Sequence, residues 1–128
     1  MKITESAISL NVGDPEASAR FLTEHFGFTQ AMAADGFASL TRPDAGSNIV
    51  FLRTGLPTLP EDQREVHAQG QILAFVVEDL DGELARLQDE GVTITMPLTV
   101  EEWGERAFQV RDPNDIIIQL VDWKATTS

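Results

Sequence analysis

The sequence predicts an α+β fold built from two copies of one strand–helix–strand–strand–strand unit, within a single domain over residues 1–128. Three observations predict it. The length of 128 residues suits one ordinary domain and is enough to bury a core. A strand-to-helix junction closing on Asp occurs twice, as Asn11-Val12-Gly13-Asp14 and as Val76-Val77-Glu78-Asp79. A turn leading into an apolar strand also occurs twice. Arg42-Pro43-Asp44-Ala45-Gly46 precedes residues 48–52, and Arg111-Asp112-Pro113-Asn114-Asp115 precedes residues 117–121.

The elements follow in order. Asp14 can cap a helix predicted from Pro15 to Phe26, and Pro15 stands where a missing N–H costs nothing. Ala19, Leu22 and Phe26 recur at helical spacing, and Gly27 stops the helix. Strands are predicted at 29–34, 36–42 and 48–52, closing module one over 3–54. Residues 55–70, with Pro57, Pro60 and several charges, read as a linker. Module two, 71–123, opens on a fifth strand that ends at Asp79. Its helix is predicted over 80–90 on a Leu80, Leu84, Leu87 stripe stopped by Gly91, with strands at 92–95, 105–111 and 117–121. The tail 124–128 is expected to fray.

Composition narrows the function classes. The chain is 42% hydrophobic and 23% charged, as globular proteins are. No apolar run approaches the roughly 20 residues that span a bilayer. Met1-Lys2-Ile3-Thr4-Glu5 has no signal-peptide core, and these absences point to a cytoplasmic protein without a membrane partner. Absence of cysteine excludes disulfides, thiolate catalysis and zinc-thiolate sites. A net charge of −12 repels phosphate backbones, which argues against nucleic acid; it either attracts a cationic small molecule or simply keeps the protein soluble. There is no Gly-rich phosphate loop and no Gly-x-Ser-x-Gly elbow. Glu16, Glu24, Glu83, Asp89 and Glu90 read as solvated helix-face carboxylates.

Three stretches carry a family resemblance. They are Ser9-Leu10-Asn11-Val12-Gly13-Asp14 with Phe21 and Gly27-Phe28; Phe75-Val76-Val77-Glu78-Asp79-Leu80-Asp81; and Trp103-Gly104-Glu105-Arg106 with Phe108 and Arg111-Asp112-Pro113-Asn114. In this order, with the repeat, they resemble the vicinal-oxygen-chelate superfamily of glyoxalases, bleomycin-resistance proteins and extradiol dioxygenases. The resemblance covers nearly the whole chain. It implies a curved, cup-shaped mixed sheet with the helices outside, and a homodimer. Strand alternation within such a cup puts Ile8, Leu10 and Val12 under the first helix, and Leu73, Phe75 and Val77 under the second. Phe21, Phe26, Phe28, Phe75 and Phe108 are assigned to core.

Metal enzymes of that superfamily carry a ligand on the first and last strand of each half. The matching positions here are Ala7, Val50, Ile72 and Gln119, of which three hold hydrocarbon and one a neutral amide. Iron, zinc or nickel requires imidazole and carboxylate, so no metal and no other cofactor is expected. His25 falls on the first helix and His67 in the linker, neither with a partner at ligand spacing.

The expected cup lining is Ser9, Asn11, Phe37, Ser39, Val50, Ile72, Ala74, Gln119 and Trp123, apolar walls with a few groups to orient a ligand. Trp103, between acidic residues in a loop before a strand, either stacks on a planar ligand or plugs a sheet end or dimer contact. Trp123 has the parity for the cup, and dimer packing is its other reading. Arg106 is expected to pair with an acid such as Asp112. Two functions follow. The preferred one is a metal-independent protein that sequesters an aromatic or cationic natural product or antibiotic without turning it over. The other is a metal-free lyase, isomerase or hydrolase on the same scaffold, with Glu102, His67 or another rim acid as general base.

Overall fold

Asp14 and Asp79 each turn a strand into a helix by the same bond. Asp14 Oδ1 accepts from the Ala17 N–H at 3.2 Å and Asp79 Oδ1 from the Gly82 N–H at 3.0 Å. Each satisfies an N–H that the first helical turn leaves open. At Gly82 a Cβ would lie 2.2 Å from Asp79 Oδ2, so a larger residue there would require the Asp79 carboxylate to turn. At its other end the first helix stops on Gly27 in the left-handed region, φ +67°, whose N–H bonds back to Leu22 O. The Arg42 guanidinium donates to Phe26 O at the same helix end.

A computed structural model describes residues 1–123; the tail 124–128 lies outside the described residues. The chain forms two compact units, Met1–Gln69 and Gly70 onward. In unit one the elements are β1 (Ala7–Val12), α1 (Pro15–Phe26), β2 (Thr29–Ala34), β3 (Phe37–Thr41) and β4 (Asn48–Arg53). In unit two they are β5 (Ile72–Val76), α2 (Leu80–Asp89), β6 (Ile94–Val100), β7 (Arg106–Arg111) and β8 (Ile117–Asp122). The sheet orders are β1-β4-β3-β2 and β5-β8-β7-β6. In each, the first and last strands are parallel and the rest antiparallel. The fold is thus the predicted α+β arrangement of two tandem βαβββ modules.

One face of each sheet is buried and the other is more open. In unit one Leu10, Val12, Ala38, Leu40, Ile49 and Phe51 pack on the α1 side with Ala19, Leu22 and Phe26. In unit two Phe108, Val110, Ile118 and Leu120 are buried, as are Leu80 and Leu87 of α2.

Several expectations are corrected. Ile8 is 51% exposed rather than covered, at the start of edge strand β1, whereas Leu10 and Val12 farther along it are buried. Phe21 and Phe75 are half-buried, not core. Phe21 instead meets His25 edge-on at 5.0 Å on the flank of α1. The sixth strand runs Ile94–Val100 rather than 92–95 and carries Pro97 within it. An edge strand tolerates proline, since an outward position needs no ladder N–H.

The segment between the modules is folded onto unit one. Leu59 N–H bonds Leu56 O, Gln63 N–H bonds Pro60 O, and Gly55 N–H bonds Arg64 O at 2.7 Å. Arg64 Nη2 donates to Pro57 O at 3.1 Å and Leu59 O at 3.0 Å. Such self-packing is that of a compact Ω-loop.

Candidate functional site

Register sorts the open faces into rows. In unit one Ser9, Val50, Ser39 and Met32 align across β1, β4, β3 and β2. The next row is Asn11, Leu52, Phe37 and Ala34. Five of the expected lining residues, Ser9, Asn11, Phe37, Ser39 and Val50, therefore share one face of one sheet. Ala7 lies on that face too, one row away from Val50.

Asn11 is already engaged. Its Nδ2 donates to Gln63 O at 3.2 Å, and its backbone O accepts from the Ala68 N–H at 2.7 Å. The loop thereby covers part of the β1 edge and fixes the Asn11 amide. His67, beside this contact, has Nδ1 3.0 Å from Ala68 O. A shallow hollow of about 350 Å³ lies elsewhere in unit one, lined by residues 3–6 and 45–48, none of them in the expected lining.

In unit two the rows are Ile72 with Ile117 and Arg111; Ala74 with Gln119, Gln109 and Met96; and Val76 with Val121 and Ala107. Ile72 and Gln119 thus share a face. Gln119 is paired: Gln109 Nε2 donates to its Oε1 at 2.7 Å, half-buried in the sheet. Gln109 was not in the expected lining, yet the register places it in the same row as Gln119. Ile72 and Val76 remain 48% and 68% exposed on the same face.

Trp103 occupies the tip of the β6–β7 hairpin. Glu101 N–H bonds Glu105 O at 2.8 Å, Gly104 N–H bonds Glu101 O at 2.9 Å, and Gly104 takes φ +95° to close the turn. The indole is 62% exposed among Glu101, Glu102 and Glu105. Trp123 follows β8 directly and is 47% exposed.

Arg106 does not pair with Asp112. Its Nε and Nη2 grip Asp122 at 2.9 and 2.7 Å, and Nη2 also reaches Asp81 of α2 at 3.3 Å. Both carboxylates hold the guanidinium pKa above its ordinary value, Asp122 first. Asp112 sits at the far end of β7, with Oδ1 committed to the N–H groups of Asn114 and Ile116 at 2.8 and 2.9 Å.

The donor set does not fit a divalent metal. Ala7, Val50 and Ile72 supply no donor atom, and the Gln119 amide oxygen is taken by Gln109. Among the described residues no three His, Cys, Asp or Glu side chains gather as ligands would. Nor is any described helix long and apolar enough to cross a membrane.

The model of the Glyoxalase/Bleomycin resistance protein/Dioxygenase superfamily matches residues 6–120. Among solved structures the chain is similar to a superfamily member from Sphaerobacter thermophilus, at 25% identity and TM-score 0.71, covering 94% of this chain and 98% of that one. It is similar to a glyoxalase/bleomycin resistance protein/dioxygenase from Nocardioides at 21% identity and TM-score 0.72, covering 96% and 85%. A virulence protein from Salmonella typhimurium aligns at 18% identity and TM-score 0.74, covering 96% and 99%. The latter two likenesses, under 25% identity, carry the fold alone. No curated protein sequence matches the chain.

Proposed function

Because the chain belongs to the glyoxalase/bleomycin resistance protein/dioxygenase superfamily, we propose that it binds an aromatic or cationic small molecule without a metal and without turning it over. One observation carries this reading. The positions where superfamily metal enzymes hold ligands are Ala7, Val50, Ile72 and Gln119, and the one polar group among them is bonded to Gln109. The sheet faces around them offer apolar walls with hydroxyl and amide groups, the texture of a small-molecule site. Trp103 adds an exposed indole among three glutamates, which suits a planar ligand carrying positive charge. A net charge of −12 draws cations and repels nucleic acid. The protein acts as a homodimer in the cytoplasm, where a chain without cysteine loses nothing to reducing conditions.

The test is a comparison of ligands by melting temperature. Planar aromatic cations should raise it, while iron, zinc and nickel salts should not, and a chelator should not lower it. A stoichiometric transition metal in untagged protein, lost with stability on chelation, would overturn the metal-free reading.

A further inference from the structure

Resting on that binding reading, we infer that Gln109 and Gln119 form a two-point recognition element for a lactam, a ring N–H beside its C=O, on a planar aromatic ligand. The two amides share one hydrogen bond, Gln109 Nε2 to Gln119 Oε1 at 2.7 Å. The reverse bond is not made among the described residues. A primary amide offers two N–H donors and a carbonyl with two acceptor sites. The pair therefore keeps Gln119 Nε2 as donor and Gln109 Oε1 as acceptor, both unused. Exchanging the orientation of both amides leaves the same result, one N–H and one C=O on adjacent side chains.

These atoms are not sealed from solvent, and both glutamines are half-buried. The one fully buried side-chain polar atom without a partner among the described residues is Arg64 Nε, in the other unit. The unused amide atoms accordingly contact solvent, which a ligand can replace.

The surroundings set the ligand's shape. Gln119 aligns with Ala74, whose methyl leaves a notch on β5. Ile72 and Val76 stand on either side of that notch, exposed, and half-buried Ile117 continues the wall beside Ile72 onto β8, while Val121 beside Val76 is buried. A flat ring between these walls would place its edge on the amide pair. A lactam edge presents an acceptor to the Gln119 N–H and a donor to the Gln109 C=O. A carboxylate presents acceptors only and leaves the Gln109 carbonyl opposed by an oxygen. A simple hydrocarbon leaves both amides stripped of water and unpaired, which is unfavourable. The row thus selects a neutral donor–acceptor edge, whereas the acidic Trp103 hairpin acts on the ligand's charge.

The experiment uses the full nitrogen-labelled chain with three probes: carbostyril (a benzo-fused lactam), N-methylcarbostyril and naphthalene. Side-chain amide signals of Gln109 and Gln119 are assigned through Gln109→Met and Gln119→Met. Carbostyril should shift both amide signals and bind about tenfold more tightly than its N-methyl derivative, as the loss of one hydrogen bond to a desolvated partner implies. In Gln119→Met that preference should vanish while naphthalene binding persists. The wild-type comparison alone is decisive if the variant fails to fold. Equal affinity for carbostyril and its N-methyl derivative, or a preference surviving in folded Gln119→Met, would overturn the inference. If naphthalene binds this face without any lactam preference, only the amide pair fails. If none of the three binds while a planar aromatic cation raises the melting temperature, the lactam element fails and the binding reading stands; if the cation has no effect either, both fail.

Discussion

Arg106 and Asp122 face each other across β7 and β8, joined by two bonds at 2.9 and 2.7 Å, and Asp122 is nearly buried. The same guanidinium reaches Asp81 in the first turn of α2, so one side chain ties the end of the second sheet to its helix. A fork with fixed geometry suits this task better than an ammonium. Arg106→Met should lower the melting temperature because it removes the guanidinium that faces the nearly buried Asp122 charge. Arg106→Met with Asp122→Leu should recover part of the loss. A double variant less stable than the single would mean that Asp122 has an adequate second partner.

Asp112 is nearly buried and its Oδ1 receives the N–H groups of Asn114 and Ile116. The turn also holds Asp115 at φ +62°. Asp112→Ala would leave two donors unpaired, at a cost of about 1–3 kcal/mol. Asp112→Asn keeps an acceptor oxygen and should cost less. Urea unfolding of the three proteins checks the order, and equal stability of wild type and Asp112→Ala would refute it.

The helices and most strands were legible because their signals are local. Asp14, Gly27 and Asp79 cap by their own chemistry, and apolar alternation marks the strand faces. Pro97 interrupts the pattern of the sixth strand, and only the sheet order reveals an edge position that accepts it. Ile8 is a similar case: its parity is right, but it stands at the start of edge strand β1. Gln109 and the Arg106–Asp122 pair are long-range facts. Counting outward from the turn at Asp112 pairs Arg111 with Ile117, Gln109 with Gln119 and Arg106 with Asp122. That count was available from the sequence once the hairpin was accepted. The loop's hold on Asn11 was not, because no periodicity marks which backbone carbonyl a loop will offer.

β2 is an edge strand exposed at all six positions and carries no charged residue. Monomeric proteins blunt such edges with charge or proline. A second copy covering it fits the homodimer expected from the family. Light scattering at micromolar concentration should give about twice the chain mass, and Met32→Lys should shift the protein toward monomer. A wild-type monomer under these conditions would remove the dimer.

Trp103 decides between a ligand-stacking role and a structural one. It sits at a hairpin tip, 62% exposed, closed by the Glu101–Glu105 bond at 2.8 Å. An indole so exposed contributes little to the packing of its own unit, so replacing it should leave the fold intact. Stacking on a planar ligand adds roughly 0.5–1.5 kcal/mol beyond buried area. With lost burial included, Trp103→Ala should weaken an aromatic cation by about 2 kcal/mol, at least roughly tenfold in Kd. Salt should weaken the same cation modestly, since the flanking carboxylates are screened over about 8–10 Å. The chain has two tryptophans, so fluorescence separates them. Ligand should quench the wild type, quench Trp103→Phe much less, and keep most of its effect in Trp123→Phe. If Trp103→Ala binds a ligand as tightly as wild type with its melting temperature unchanged, the indole does not touch that ligand, and the hairpin tip serves another contact.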